Sequence, residues 1–171
     1  MRGRIIIVHG PSSAGKSTVI HALREALSEP FCYYSVDLFT DSSFHPVSLY
    51  PQDRNIGEQT RQFMRGFHRS IVAFAEAGND LIVEHVLEAQ EFADDLVEVV
   101  KSFDAFLVAV TAKLDELERR EKLRGNRSIG TAALFIKSVG FCKNDMVLDT
   151  TSGTTDAAAE IMIAWQNRLL A

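Results

Sequence analysis

The stretch Ile5-Ile6-Ile7-Val8-His9-Gly10-Pro11-Ser12-Ser13-Ala14-Gly15-Lys16-Ser17-Thr18 decides the fold. Four consecutive β-branched apolar residues read as a strand buried on both faces. The pattern G-x-x-x-x-G-K-[ST] follows at Gly10 to Ser17, and Val19, Ile20, Leu23 and Leu27 then recur at helical spacing. Strand, glycine loop and helix stand in the order that a phosphate-binding loop requires. The alternative is a plain glycine turn between a strand and a helix.

The residue types follow from the chemistry of a polyphosphate. Several N–H donors must converge on it, so the backbone must turn tightly and pass close to the oxygens, which glycine at 10 and 15 allows because it lacks a Cβ. A helix starting near Lys16 adds free N–H groups and the positive end of its dipole. Lys16 can reach the β- and γ-phosphates, and the Ser17 hydroxyl can ligate Mg²⁺. Gly10, Ser12, Ser13, Ala14, Gly15, Lys16, Ser17 and Thr18 are therefore assigned to the nucleotide.

Composition narrows the class. At 171 residues the chain is one domain by size, and 46% hydrophobic with 24% charged residues is the make-up of an ordinary globule. The net charge of −5 argues against a polynucleotide partner and against an anionic membrane, so any anion site must be local. Cys32 and Cys142 form no C-x-x-C, as expected of reduced thiols, and no histidine or cysteine cluster has zinc spacing. The apolar run after Arg4 is too short for a signal peptide core and no stretch reaches membrane-spanning length, so a cytoplasmic location is expected.

Strands and helices alternate from end to end. Helices are expected at about 16–28, 57–77, 89–102, from a cap at Thr111 through the 120s, again from about 131, and at 155–169. Strands are expected at 32–35, 81–83, 104–110 and 146–148. Leu114 and Leu117 should face inward with the charges outward, and Phe63, Phe67, Ile71 and Phe74 should be core. Five apolar strands joined by helices call for an α/β fold, a five-stranded parallel sheet with helices on both faces and right-handed crossovers. Ligands in such sheets sit beyond the carboxyl ends of the strands, where Gly10, Asp37, Glu84, Thr111 and Asp149 all fall.

Asp37, at the exit of the second strand, is the candidate catalytic base, because transfer of phosphate to an alcohol needs a carboxylate to accept the hydroxyl proton. Its other reading is the cap of a short helix from Leu38 or the start of a turn. Glu84 is the candidate second metal ligand beside Ser17, with His85 a satisfied polar residue or a substrate contact. Arg120, Arg124 and Arg127, at i, i+4 and i+7, would share a helix face and could clamp phosphate oxygens from a lid at about 119–130. A solvated face with Glu116–Arg120 pairing is the competing reading. Arg61, Arg65 and Arg69 read as a water-facing stripe. The segment 38–60 reads as a long acceptor-binding loop in which Phe39, Phe44 and His45 could line a pocket.

With these residues in view, the chain resembles the chloramphenicol 3-O-phosphotransferase family of P-loop kinases over most of its length. The resemblance rests on Ser12-Ser-Ala-Gly15-Lys16-Ser17, Val36-Asp37, Arg120-Glu121 with Arg124-Gly125-Asn126-Arg127, and Asp149-Thr-Thr. It implies a nucleoside-monophosphate-kinase-like sheet and Mg²⁺-dependent transfer of the ATP γ-phosphate to a hydroxyl of a small acceptor. The family's base falls on Asp37, its loop lysine on Lys16 and its lid arginines on Arg120, Arg124 and Arg127. The chain departs from the family at 39–61 and at Glu84-His85, where paired acids are expected. A nucleotide-binding regulatory module and a nucleoside kinase are the competing functions.

Overall fold

The computed structural model describes residues 1–40, 44, 57–124 and 130–168. Strands β1 (Ile5–His9), β2 (Cys32–Ser35), β3 (Leu81–His85), β4 (Ala105–Thr111) and β5 (Met146–Asp149) form one sheet in the order β2-β3-β1-β4-β5. Every pairing is parallel, with Ile5 opposite Leu81 on one side and Ala105 on the other. The helices are α1 (Lys16–Ala26), α2 (Asp37–Thr40), α3 (Glu58–Glu76), α4 (Gln90–Val100), α5 (Leu114–Arg124), α6 (Thr131–Phe135) and α7 (Ala157–Asn167), with a 3-10 turn at Ile136–Gly140.

Two cores result from the period of two along each strand. Ile6 and Val8 point to the face covered by α1 and α7, where Val19, Ile20, Leu23, Ile161 and Trp165 pack with Ile82 and Phe106. Ile5 and Ile7 point to the other face, covered by α3 and α4, with Phe67, Ile71, Leu96 and Val83. The apolar run that opens the chain is thus buried on both sides, as its composition requires.

Three local expectations fail. Thr111 does not cap α5 but ends β4, where its carbonyl accepts from Thr150 N–H at 2.8 Å. Leu114 is 40% exposed while Glu121 is buried at 1%, because α5 turns its acidic residue, and not its first leucine, toward the body of the protein. Glu121 accepts from Gly130 N–H at 2.7 Å and Ala132 N–H at 2.9 Å, so the carboxylate closes the start of α6. On α3, Phe67 and Ile71 are core, Phe63 is half-buried, and Phe74 is 47% exposed beside Tyr34.

Candidate active site

Gly10 and Gly15 both have positive φ, 141° and 90°. A Cβ on Gly10 would lie 2.0 Å from the Val110 carbonyl oxygen, so glycine is demanded there by the neighbouring strand as well as by the loop's turn. Ser13 also adopts a positive φ of 63°, an unusual conformation for serine. The Ser12 and Ser13 hydroxyls are buried with no hydrogen-bond partner among the described residues. Buried hydroxyls of this kind are costly unless something donates to or accepts from them, and phosphate oxygens are acceptors of the right type. The Lys16 ammonium, 6% exposed, folds over the loop and donates to the Pro11 carbonyl at 3.0 Å.

The loop forms one wall of a cleft of about 220 Å³ lined by Ser12, Ser13, Gly15, Lys16, Ser17 and Thr18. The opposite walls come from Ser35, Val36 and Asp37, from Glu84, His85 and Val86, and from Arg120 and Arg124. Alternation along the strands explains the placement. Ile82 faces α1, so Glu84, two residues on, faces the same way and accepts from the Ser17 hydroxyl at 2.9 Å. Tyr33, on the matching face of β2, donates to the other Glu84 oxygen at 2.6 Å. Burial, with Glu84 beside it, pushes the Tyr33 phenol up to about 12. Hydroxyl and carboxylate together are the hard oxygen donors that Mg²⁺ takes, so the residues present fit that ion.

Asp37 is half-buried and is the first residue of α2, its amide donating to the Ser35 hydroxyl at 3.2 Å. It thus starts a short helix and its side chain also lines the cleft. Glu88 lies close enough for burial, helped by the Asp37 charge, to raise its carboxyl above the ordinary carboxylate range.

Arg120 lines the cleft and is also anchored. It donates to Glu116 at 2.7 Å, to the Thr150 carbonyl at 2.6 Å and to the Thr150 hydroxyl at 3.1 Å. Thr150, fully buried, donates from its hydroxyl to the Ala14 carbonyl at 2.7 Å, so the turn after β5 braces the underside of the glycine loop. Arg124 is exposed at the cleft's edge. Arg127 and His45 lie outside the described residues. Thr111 and Asp149, expected at the cleft with the other strand ends, do not line it; Asp149 instead accepts from Thr151 N–H at 2.8 Å. Gly10 and Ala14 belong to the loop but sit beneath its lining surface. Arg61, Arg65 and Arg69 lie along the outside of α3 and pair with Glu91, Glu58 and Asp95. Phe39 packs between Tyr34, Phe67 and Phe44, and Phe44 is 70% exposed.

The sequence reading did not find Tyr33, Glu88 or the brace at Thr150. Tyr33 was accessible from parity alone, being on the same face of the sheet as Glu84. The other two depend on loop paths that carry no periodicity.

A family model described as chloramphenicol phosphotransferase-like protein matches residues 3–166. A protein of Mycobacterium tuberculosis strain H37Rv with the provisional name O-phosphotransferase Rv2636 is 24% identical over 148 residues, 75% of this chain and 66% of that protein. The chain thus spans just under two thirds of the length of the curated relatives it matches. Among solved structures, the Mycobacterium tuberculosis APS kinase in complex with AMPPNP and APS has a TM-score of 0.72 at 18% identity, covering 96% of this chain and 98% of that one. Shikimate kinase from Acinetobacter baumannii in complex with shikimate has a TM-score of 0.71 at 15% identity, covering 99% and 96%. At these identities the likeness is one of fold. Among the described residues no helix is long and apolar enough to cross a membrane.

Proposed function

The chain belongs to the chloramphenicol phosphotransferase-like family, and from that premise we propose that it is an ATP- and Mg²⁺-dependent kinase acting on a hydroxyl of a small molecule. The observation that carries this reading is the convergence of Lys16, Ser17, Glu84 and Asp37 on one cleft at the carboxyl ends of the strands. The loop amides and the Ser12 and Ser13 hydroxyls hold the phosphate tail, and Lys16 leaves the Pro11 carbonyl to meet the γ-phosphate. Ser17 and Glu84 hold Mg²⁺, which when bound neutralises charge on the phosphate oxygens. Tyr33 keeps the Glu84 carboxylate turned toward Ser17.

Asp37 accepts the proton of the acceptor hydroxyl as its oxygen closes on phosphorus. Arg124, with Arg120 and Arg127, spreads the charge of the transferring group. The acceptor enters from the side of Val36 and Val86, next to α2. Localisation in the cytoplasm accords with this chemistry, because ATP is held there.

The test is isothermal titration with ATP and Mg²⁺, followed by ADP release across a library of hydroxylated compounds. Binding with acceptor-dependent release supports the kinase. Tight ATP binding with no release for any hydroxylated compound turns the reading to the regulatory module, and absence of binding to ATP or GTP removes the nucleotide site altogether.

A further inference from the structure

His85 ends β3 with its side chain on the face opposite Glu84, as the strand's alternation dictates. There it meets Phe67 and His68 of α3. His85 Nε2 lies 2.9 Å from His68 Nε2, and His68 Nδ1 lies 2.6 Å from Asp95 Oδ2. At its other end His85 Nδ1 lies 2.9 Å from the Val86 carbonyl oxygen. His68 is fully buried and Asp95 is 23% exposed, so the chain runs from the protein's outer surface, through the second core, to the wall of the cleft.

Two of the three contacts have a fixed direction. A carbonyl only accepts, so His85 Nδ1 carries the hydrogen that reaches Val86, and a neutral His85 then offers a lone pair at Nε2. A carboxylate also only accepts, so His68 Nδ1 carries the hydrogen that reaches Asp95. The Nε2–Nε2 contact draws its hydrogen from one of the two rings. All three bonds coexist only when the pair holds three ring protons, and the Asp95 carboxylate in contact with His68 places the extra one there.

We propose that Asp95 and His68 are positioning residues which, through His85, hold the Val86 carbonyl and thereby fix the acceptor-side wall of the cleft beside Asp37. With only one proton on His68 one bond must fail. Either the two Nε2 lone pairs face each other, or His68 moves its hydrogen to Nε2 and gives up the bond to the Asp95 charge, or His85 turns its hydrogen to Nε2 and releases Val86, the outcome that spares the charged contact. Burial lowers the His68 pKa, while Asp95 raises it and Arg69 lowers it further. His85, with only the Val86 carbonyl at its other ring nitrogen, has no such counter-charge. The completed chain is therefore the form that falling pH favours.

The functional consequence rests on the reading of the cleft as a kinase site, but the chain can be tested without nucleotide. Isotope-labelled protein, full length, would be followed from pH 5 to 8 by long-range ¹H–¹⁵N spectra of the histidine rings and by the ¹³C resonance of the Val86 carbonyl. The expected result is a His68 titration centred below 6.5, with His85 hydrogen at Nδ1 only in the protonated form and the Val86 carbonyl moving in step. Asp95→Asn should lower that midpoint by about one pH unit or more, an opposite charge in contact shifting a pKa by roughly 1–3 units, and Asp95→Glu should restore it. A Val86 carbonyl indifferent to His68, a hydrogen on His85 Nε2 in the acid form, or an unmoved midpoint in Asp95→Asn would each overturn the assignment. The wild-type spectra decide the matter even where that variant does not fold. AMPPNP titrated into the same samples reports separately on the nucleotide site, so failure of the kinase reading leaves a recognisably different record.

Discussion

Asp37 lines the cleft, and Glu88 lies near enough to feel its charge. Asp37→Asn keeps the size of the side chain and the start of α2 but removes the proton acceptor, so ATP affinity should persist while phosphate transfer falls by roughly 10²–10⁴-fold. Steady-state ADP release beside an ATP titration checks both halves; full transfer in this variant would assign Asp37 to the helix start alone. Lys16→Ala should abolish turnover, because no other ammonium lines the cleft among the described residues. Glu88 has its pKa raised by burial and by Asp37, so its ionised form opposes folding at neutral pH and its protonated form does not. Glu88→Gln should therefore raise Tm at pH 7, by a few degrees at most given about 2–4 °C per kcal/mol in a chain of this size. Below pH 4.5, where the group is protonated folded or unfolded, the difference between variant and parent should vanish, and thermal melts at the two pH values read it directly.

At the level of elements, the glycine loop is fixed as much by its supports as by its own residues. Gly10 could be read from the motif, yet the reason it admits no side chain is the Val110 carbonyl on β4, a contact between strands far apart in sequence. Gly10→Ala should cost about 2–3 kcal/mol in urea unfolding, the upper part of the usual range for one substitution, since both the positive φ and the 2.0 Å approach oppose it. Glu121 shows the same limit of pattern reading. Charge on a surface helix suggests solvent, but here the carboxylate is buried and holds two amides across the residues 125–129. Glu121→Ala leaves both donors without it and should cost about 1–3 kcal/mol, with faster hydrogen exchange at Gly130 and Ala132. Arg120, which spacing assigned to the transferring phosphate, is likewise tied to Thr150 and Glu116, a pairing that needs the path of the turn after β5 to be known.

Over the whole molecule, the centre of the sheet was legible because β1, β3 and β4 are buried on both faces and leave short apolar runs, while the half-exposed edge strands β2 and β5 were placed by their position between helical segments. Parity along those runs also carried Glu84 to the loop side, and would have carried Tyr33 with it. What parity cannot carry is the meeting of α3, α4 and β3 at His68, Asp95 and His85, which depends on how two helices lie over the sheet. The single tryptophan gives a test at this scale. Trp165 packs edge-on against Phe106 and Phe31, joining α7 to the sheet and to the start of β2, and is 5% exposed. Its emission should be blue-shifted in the native state and should redden on unfolding at the same urea concentration as the far-ultraviolet circular dichroism; separated midpoints would mean that the α1–α7 face opens independently.

The sheet also ends the same way on both sides, on strands of only four residues, β2 and β5. A border that short presents few unpaired amides to a neighbouring molecule, too few for another chain to add itself as a continuing strand with much gain. Concentrated solutions of this protein should thus resist fibrillar growth through the sheet, and any crowding-induced association should proceed through helices and loops instead.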